Sequence, residues 1–306
     1  MRRIEGEVFT YAKHPRTELV LRDGATWSSF GLDGAARGTV EKEGPTWAAV
    51  SRIRLWDGYP VRSYKQLVQT VSHIASGNRL QLLYFRGQLK DYRDPNGRTA
   101  LYPSICRPKK VRLQSARLKA RDELLSRAIQ EIRKNALRLD LTHHIHRLPE
   151  ASMALLQHYE LCRTPLLDVT RSLRVAASFA LLDGAPEGFV YVIGMPYPYG
   201  SISHQVDYEA RIVDLQSVCP YKALRPHFQE GVLIGRFPWL GAKEPGDNAA
   251  YRLIAKLRLI NHARRFWKSG FTGLARNVLL PTRDPYGQLL REVLAPVLGG
   301  QDEHDD

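Results

Sequence analysis

Cysteine is scarce in this chain: Cys106, Cys162 and Cys219 stand among 306 residues, and none has the CxxC spacing of zinc or redox sites. We predict buried, reduced thiols of a cytosolic protein, since an odd number at these separations does not build a disulfide framework. Long hydrophobic runs are also missing. The most apolar stretch, Val175 to Leu182, is closed by Asp183 and is far shorter than the roughly 20 residues of a membrane span.

The first residues, Met1 to Glu7, reach acidic side chains at once and lack the apolar core of a signal peptide. We therefore expect a cytoplasmic protein with no membrane partner. Hydrophobic residues make up 43% of the chain, which is enough for a sizeable core and excludes a disordered class. The length of 306 residues predicts about two domains, or one large domain with extensions.

Acidic residues are few for this length. The chain has 45 Lys and Arg against 31 Asp and Glu, a formal charge of +14, and this excess favours a polyanionic partner. The stretch from Arg107 to Arg121 contains no acid. We predict that it binds nucleic acid through the cations Arg107, Lys109, Lys110, Arg112, Arg117 and Lys119.

A second acid-free stretch, Tyr251 to Asn277, includes Arg252, Lys256, Phe266 and Trp267. Cations with aromatic residues among them suit RNA or single-stranded DNA, which binds by phosphate contacts and base stacking. The helical spacing of the two aromatic residues makes core positions the better interpretation of those two side chains.

Apolar periodicity alternates irregularly between helical and strand patterns, which indicates an α+β fold rather than a regular parallel α/β fold. The predicted helices are Ser63 to Ser76, Leu124 to Leu137, Glu150 to Tyr159, Leu173 to Leu182, Leu253 to Trp267 and Leu289 to Leu298, the last broken by Pro296. The predicted strands are Val8 to Tyr11, Thr17 to Leu21, a run into Arg86, Leu166 to Leu167, Gly188 to Met195, Glu209 to Leu215 and Gly231 to Phe237.

This order predicts three blocks along the chain: an extension with short strands over residues 1–61, a main domain over 62–240, and a helical extension with an acidic tail over 241–306. Three histidines, His143, His144 and His146, lie near one another in sequence. They have no cysteine close by and no glutamate in a HExxH arrangement, so we predict no metal site.

The segment Leu82 to Gln88 is the most informative part of the chain. Its apolar run ends on Arg86, Gly87 and Gln88. A strand there would hold Arg86 at the edge of the core, where a planar cation with five donors suits a carboxylate or a phosphate. Gly87 would let another backbone or a ligand come close. Taken alone, the segment is explained as well by a strand that ends in a solvated arginine.

A second polar cluster, Asp168 to Ser172, follows a short predicted strand and precedes a helix rich in small residues. Thr170 or Ser172 falls where a helix N-cap belongs. A helix N-terminus presents free amides and a positive dipole end to an anion. A capped helix with Asp168 satisfying a turn is the simpler explanation, but two polar-tipped strands in one domain favour a site.

Together these motifs resemble the FRG domain, which is named for its Phe-Arg-Gly motif. The resemblance covers about residues 62–240 and runs through Tyr84 to Gln88, Leu101 to Arg107, Gln157 to Tyr159, Leu166 to Ala180 and Arg225 to Phe237. The departures are modest. Glu160 replaces a usual glycine, and Gln229-Glu230 stands where two glutamines are common.

The same order of residues is similar to that of ADP-ribosyltransferases, in which an arginine, a Ser/Thr and a glutamate on core strands line the NAD cleft. The resemblance implies an ADP-ribosyltransferase-like split β-sheet core with flanking helices and NAD as the substrate. It implies that Arg86 holds a phosphate or ribose, that Thr170 and Ser172 orient the nicotinamide ribose, and that Gln229 or Glu230 stabilises the reacting ribose. Neighbouring strand residues face opposite sides, so the choice between Gln229 and Glu230 stays open. The residues expected to contact NAD are Arg86, Gly87, Gln88, His158, Tyr159 and Asp168.

The predicted activity is ADP-ribosylation with nucleic acid, RNA in particular, as the acceptor. Cleavage of the bond to nicotinamide passes through an oxocarbenium-like state, which a nearby carboxylate or amide stabilises electrostatically. By analogy, such a protein is a toxin or antiviral effector that an inhibitory antitoxin holds in check. Two alternatives stay open: a non-catalytic nucleic-acid-binding module and an NAD glycohydrolase.

Overall fold

The computed structural model describes residues 7–14, 17–22, 53–78, 81–107, 115–239, 249–268, 270–281 and 283–299. The chain forms two compact units, each assembled from three stretches. The first unit comprises Met1–Leu101, Val169–Tyr197 and Asn248–Leu279, and the second comprises Tyr102–Asp168, Pro198–Asp247 and Leu280–Asp306. Both units combine strands with helices, so the predicted α+β class is confirmed. The units interleave along the chain and do not follow the three predicted blocks.

The strands, in chain order, are β1 (Glu7–His14), β2 (Thr17–Arg22), β3 (Tyr59–Val61), β4 (Leu82–Gln88), β5 (Leu167–Thr170), β6 (Glu187–Met195), β7 (Ile202–Gln205), β8 (Ala210–Asp214), β9 (Gly231–Arg236) and β10 (Leu253–Ile260). The α-helices are α1 (Tyr64–Gly77), α2 (Ser115–Lys134), α3 (Pro149–His158), α4 (Leu173–Ala180), α5 (Leu215–Val218), α6 (Leu224–Phe228), α7 (Arg276–Leu279) and α8 (Pro285–Leu298). Short 3-10 helices occupy Ser104–Cys106, His144–Arg147, Leu182–Gly184, Val206–Tyr208, Ala249–Arg252 and His262–Arg264.

The first unit is built on a mixed sheet in the order β2-β1-β10-β6-β4, and the end of β5 lies beside β4. Strand β10 runs antiparallel to β6, and β6 runs antiparallel to β4, whereas β1 and β3 run parallel to β10. A strand from the C-terminal part of the chain thus joins N-terminal strands to those of the middle of the sequence.

The prediction of a helix over Leu253 to Trp267 is wrong, because Leu253–Ile260 form strand β10. Ala255, Leu257 and Leu259 alternate into one hydrophobic core. An apolar run buried on both faces fits the helical and the strand period equally, and the sheet context decides between them. In the described part of 241–306, helical structure is found in α7, α8 and the short 3-10 helices Ala249–Arg252 and His262–Arg264.

Most other predicted elements are confirmed within a few residues, including the two N-terminal strands β1 and β2. Helix α2 begins at Ser115, earlier than predicted. Helix α8 is not broken at Pro296, as we expected, but continues to Leu298. The proline lies in the last turn, where it removes a single helical hydrogen bond.

Helix α4 lies directly on strands β4 and β6 of the first unit. A Cβ atom added to Gly87 would stand 1.8 Å from the carbonyl oxygen of Ala176, and one added to Gly188 would stand 1.8 Å from that of Ala180. Only glycine permits such an approach of helix backbone to strand. We expected Gly87 to let either another backbone or a ligand come close, and the structure shows that the backbone of α4 does so.

The second unit contains the antiparallel sheet β7-β8-β9 and a core formed mainly by α2, α3 and α8. Cys106, Cys162 and Cys219 are buried free thiols, as predicted. Burial raises the pKa of the Cys162 thiol to about 11. In the described part of the chain, no helix has the length and apolarity needed to cross a membrane.

Candidate functional site

Strand β4 directs Arg86 away from α4. Tyr84 and Gln88 share the face of Arg86, because alternate strand residues point to opposite sides. Arg86 pairs with Tyr191 of β6, and Tyr191 pairs with Lys256 of β10. Residues paired across neighbouring strands share a face, so Arg86, Tyr191 and Lys256 form one row across three strands.

Asp91 joins this row from the loop that follows β4. Its Oδ1 accepts a hydrogen bond from the Tyr191 hydroxyl at 2.9 Å and from the Thr99 hydroxyl at 2.8 Å. Its Oδ2 accepts from Lys256 Nζ at 2.9 Å and from Arg93 Nε at 2.9 Å. The two oxygens of the carboxylate therefore accept hydrogen bonds from four donors within the first unit.

Lys256 is fully buried, with a relative exposure of 0%. Its Nζ also donates to the Thr99 hydroxyl at 2.8 Å. Desolvation lowers the pKa of Lys256, and the hydrogen bond to Asp91 opposes that shift. Desolvation, reinforced by Asp91, raises the pKa of Tyr191, and the positive charge of Arg86 acts in the other direction.

No pattern in the sequence indicates Asp91 or Tyr191 as site residues, and the acid-free stretch from Tyr251 predicts that Lys256 belongs to a nucleic-acid surface. That assignment is wrong for Lys256 and for Arg252, which are 0% and 3% exposed. The available signal was a lysine in the middle of the apolar run Leu253 to Ile260. Phe266 is fully buried in the first unit's core, and Trp267 packs partly buried against it, in line with the interpretation favoured above.

The end of β5 lies beside β4, with Thr170 paired opposite Phe85. Thr170 therefore shares the face of Phe85, and its side chain projects from the opposite face to that of Arg86. The Thr170 hydroxyl accepts a hydrogen bond from the Ser172 amide at 3.0 Å. The Ser172 hydroxyl accepts from the Val175 amide at 3.4 Å and caps α4, which confirms the predicted N-cap. The substrate roles of both hydroxyls stay predictions.

Arg171 lies between these two residues, at the variable position of the Thr-x-Ser motif, so the motif does not indicate it as a site residue. Its guanidinium carbon lies 5.9 Å from the centroid of the Tyr84 ring. Tyr84 shares the face of Arg86, so the exposed Arg171 and the half-buried Arg86 extend over the same face. Two arginines on one side of a sheet suit an anion with several oxygens.

In the second unit, the structure brings together two of the predicted cofactor residues. The side-chain amide of Gln157 donates to Asp168 Oδ2 at 2.6 Å, and His158 Nδ1 lies 3.4 Å from Asp168 Oδ1. The other end of Gln157 accepts from the hydroxyls of Ser104 and Thr164, both at 2.8 Å. His158 is 3% exposed.

Tyr159 follows His158 in the chain but contacts a different part of the second unit. Its hydroxyl donates to Asp284 Oδ2 at 2.6 Å, and its ring fills the space beside Gly287 at the start of α8. Burial raises the pKa of Tyr159, and the hydrogen bond to Asp284 adds to the shift. These contacts show that Tyr159 anchors α8; its predicted contact with NAD stays a prediction.

Gln229 and Glu230 both precede strand β9, which begins at Gly231. Gln229 is the buried C-cap of α6, and Glu230 is exposed in a left-handed conformation with φ of 44°. The strand-parity argument for choosing between them is therefore wrong, because neither residue lies in a strand. Both belong to the second unit and Arg86 to the first, so their meeting around one substrate stays a prediction.

A comparison with protein-family models finds a match to the FRG domain over residues 81–187. The chain contains an FRG domain. The match includes Arg86, His158 and Ser172, whereas the resemblance seen in the sequence extended to about residue 240. Comparisons with curated proteins and with solved structures found no match to this chain.

Within the FRG domain, the basic stretch has both structural and exposed members. Arg107 Nε donates to the Tyr102 carbonyl at 3.1 Å, and the buried Arg121 donates to the carbonyls of Ile105 and Arg107 at 2.8 and 2.9 Å. Arg117 and Lys119 are exposed on α2. The predicted cations Lys109, Lys110 and Arg112 lie outside the described residues.

Across the described ranges, no group of three or more His, Cys, Asp or Glu side chains is arranged to hold a metal ion. His146, from the histidine-rich segment of the FRG domain, lies 3.1 Å from the Val218 carbonyl through Nε2. Burial lowers the pKa of His146.

Proposed function

We propose that this FRG-domain protein is an NAD-dependent ADP-ribosyltransferase and that its acceptor is nucleic acid, RNA in particular. One observation supports the proposal: Arg171 reaches to 5.9 Å from the ring centroid of Tyr84, which shares the face of Arg86 on the first unit's sheet. The pyrophosphate of NAD offers paired oxygens that planar guanidinium groups bind in a bidentate manner.

The surroundings of Arg86 support a role in binding an anion. Strand β4 lies between β6 and the end of β5: Arg86 pairs with Tyr191 on one side, and its neighbour Phe85 pairs with Thr170 on the other. The carboxylate of Asp91 is shared between Lys256 and Arg93. Arg93 also pairs with Asp57 at 3.0 Å, so in these contacts three cations, Arg86, Lys256 and Arg93, lie beside two carboxylates, which supports a net positive potential along the row.

The chemistry assigned to the remaining residues follows from the transfer itself. The bond between the ribose C1′ and the nicotinamide nitrogen breaks, nicotinamide leaves as a neutral molecule, and an acceptor oxygen or nitrogen forms the new bond to C1′ and loses its proton. Gln229 or Glu230 would stabilise the oxocarbenium-like state. Ser172 would orient the nicotinamide ribose, and Thr170, whose side chain projects from the opposite face to that of Arg86, would support it by accepting a hydrogen bond from the Ser172 amide. Asp168 with His158 would line the site.

We infer the nucleic-acid acceptor from the charge of the chain and the inhibitory antitoxin from analogy. The exposed cations Arg117 and Lys119 on α2 would contact phosphates of RNA or single-stranded DNA. A bacterial enzyme of this kind would act as a toxin or antiviral effector and be restrained by an inhibitory antitoxin.

Incubation with NAD labelled in its adenylate part, together with total RNA, single-stranded DNA or total protein, tests the proposal. We expect nicotinamide release and label in the RNA, with both lost in Arg86→Ala and reduced in Arg171→Ala. Arg138→Ala removes an exposed arginine paired with Glu292 and serves as the control with unchanged activity.

Each alternative has its own signature in this experiment. Nicotinamide release with no labelled acceptor identifies an NAD glycohydrolase. RNA binding by a folded wild type that leaves NAD intact identifies a non-catalytic binding module and contradicts the proposed reaction.

A further inference from the structure

We propose that Tyr191, Asp91 and Lys256 form a positioning network for Arg86, in which Tyr191 fixes the arginine side chain and the two buried charges fix Tyr191. The network lies in the same row of the sheet as Arg86 and is a different set of residues from those proposed to touch NAD. Its ligand assignment rests on the proposed function, whereas the ordering of Arg86 is independent of it.

The register of the sheet places Tyr191 at the centre of the network. It pairs with Arg86 on one side and with Lys256 on the other. Neighbouring strands lie about 4.8 Å apart, so the tyrosine ring stands directly beside the stem of the arginine. Any rotation of the ring changes the space in which the guanidinium is held.

The hydroxyl of Tyr191 is held in place by Asp91. That carboxylate accepts four hydrogen bonds, from the hydroxyls of Tyr191 and Thr99 and from Lys256 and Arg93. An ionised carboxylate has about four acceptor sites, so Asp91 is saturated. Because its side chain is only 6% exposed, these bonds are shielded from competing water.

Stability alone does not account for the buried pair of Lys256 and Asp91. Desolvating two charges offsets their attraction, and well-packed apolar residues of similar volume are often as stable in such a place. A pair with side chains 0% and 6% exposed, one strand away from the partner of Arg86, is instead explained by the fixed geometry that it imposes.

A double-mutant cycle with ADP-ribose as the calorimetric probe tests the coupling. This probe has the pyrophosphate of NAD and no nicotinamide to be cleaved. We expect Tyr191→Phe to weaken binding about fivefold in the wild type and to have no further effect in Arg86→Ala, because residues that act through one another are non-additive. Equal losses in both backgrounds would overturn the proposal.

A second readout needs no ligand. The order of the Arg86 Nε–Hε bond, measured by ¹⁵N relaxation and assigned through Arg86→Lys, should fall in Tyr191→Phe and Asp91→Asn. Lys222→Met serves as the control, since it removes an exposed Lys–Asp pair at 2.6 Å elsewhere and should leave Arg86 unchanged. An equally ordered Arg86 in folded Tyr191→Phe overturns the positioning role whether or not NAD binds.

If Asp91→Asn fails to fold, the double variant D91L/K256M replaces both buried charges with apolar groups and should fold. It should show the same loss of Arg86 order. Absence of ADP-ribose binding and NAD cleavage by the wild type, together with loss of Arg86 order in Tyr191→Phe, would refute the proposed function and leave the positioning role supported.

Discussion

The two faces of strand β4 have opposite characters. On one face, Phe85 enters the core and Gly87 receives the backbone of α4. On the other face, Arg86 lies in a row with Tyr191 and Lys256, and Asp91 accepts hydrogen bonds from the latter two. The comparison explains the Phe-Arg-Gly order: the outer two residues pack on the side of α4, and the middle one projects from the opposite face, where we propose that it binds NAD.

The largest effect is expected from a methyl group on the packing face. In Gly87→Ala, the new Cβ would meet the Ala176 carbonyl oxygen at 1.8 Å, and neither backbone can give way. We expect a loss of at least about 3 kcal/mol in the free energy of unfolding, measured by urea denaturation. Gln88→Ala is the control on the other face, where a half-exposed side chain is removed and the change should stay below about 0.5 kcal/mol. Similar losses in both variants would contradict the assignment of faces.

A smaller effect is expected at the N-terminus of α4, where Ser172 is the N-cap. Ser172→Ala should lower the free energy of unfolding by about 1 kcal/mol, because an amide loses its acceptor. Ser172→Asp keeps an acceptor and should be close to wild type in stability. Loss of NAD cleavage in Ser172→Asp at unchanged stability would support the ribose role, whereas full activity would restrict Ser172 to capping.

The smallest effect on the free energy of unfolding concerns Lys256, which lies on the same face of the sheet as Arg86. Its pKa is lowered in the folded protein, so below the ordinary value of 10.5 the unfolded chain binds this proton more tightly. Wild-type stability should therefore rise relative to Lys256→Met as pH approaches 10.5 from below, with a slope under about 1.4 kcal/mol per pH unit. The free energy of unfolding of both proteins, measured at several pH values, gives this difference. The titration of tyrosines that both proteins share cancels in it. Parallel curves would contradict a lowered pKa of Lys256 in the folded protein.

The two faces of β4 could be predicted from the sequence, but the network of Tyr191, Asp91 and Lys256 beside Arg86 could not. The apolar run into Arg86 and the small residues of α4 are local patterns, and both elements formed as predicted. Lys256 and Asp91 are 165 residues apart, so no local pattern joins them. Strand β10 was predicted as a helix because its apolar residues fit both periods.

The remaining site residues show a similar limit. Ser172 was predicted as a cap because capping needs only a short side chain before a helix. Glu230 was placed in a strand because nothing in a Gln-Glu pair signals a positive φ, which is 44° here. The position of Arg171 near Tyr84 follows from the register that brings the end of β5 beside β4, which the local sequence does not indicate.

The most direct test of the account is nicotinamide release from NAD by wild type and Arg86→Ala, each shown by thermal unfolding to be folded. The account predicts release by the wild type and at least about a hundredfold slower release by the variant, the size of loss typical of removing an electrostatic contact in a catalytic site. Equal rates in the two proteins, or no release by a folded wild type supplied with RNA, would contradict the assignment of Arg86 to NAD.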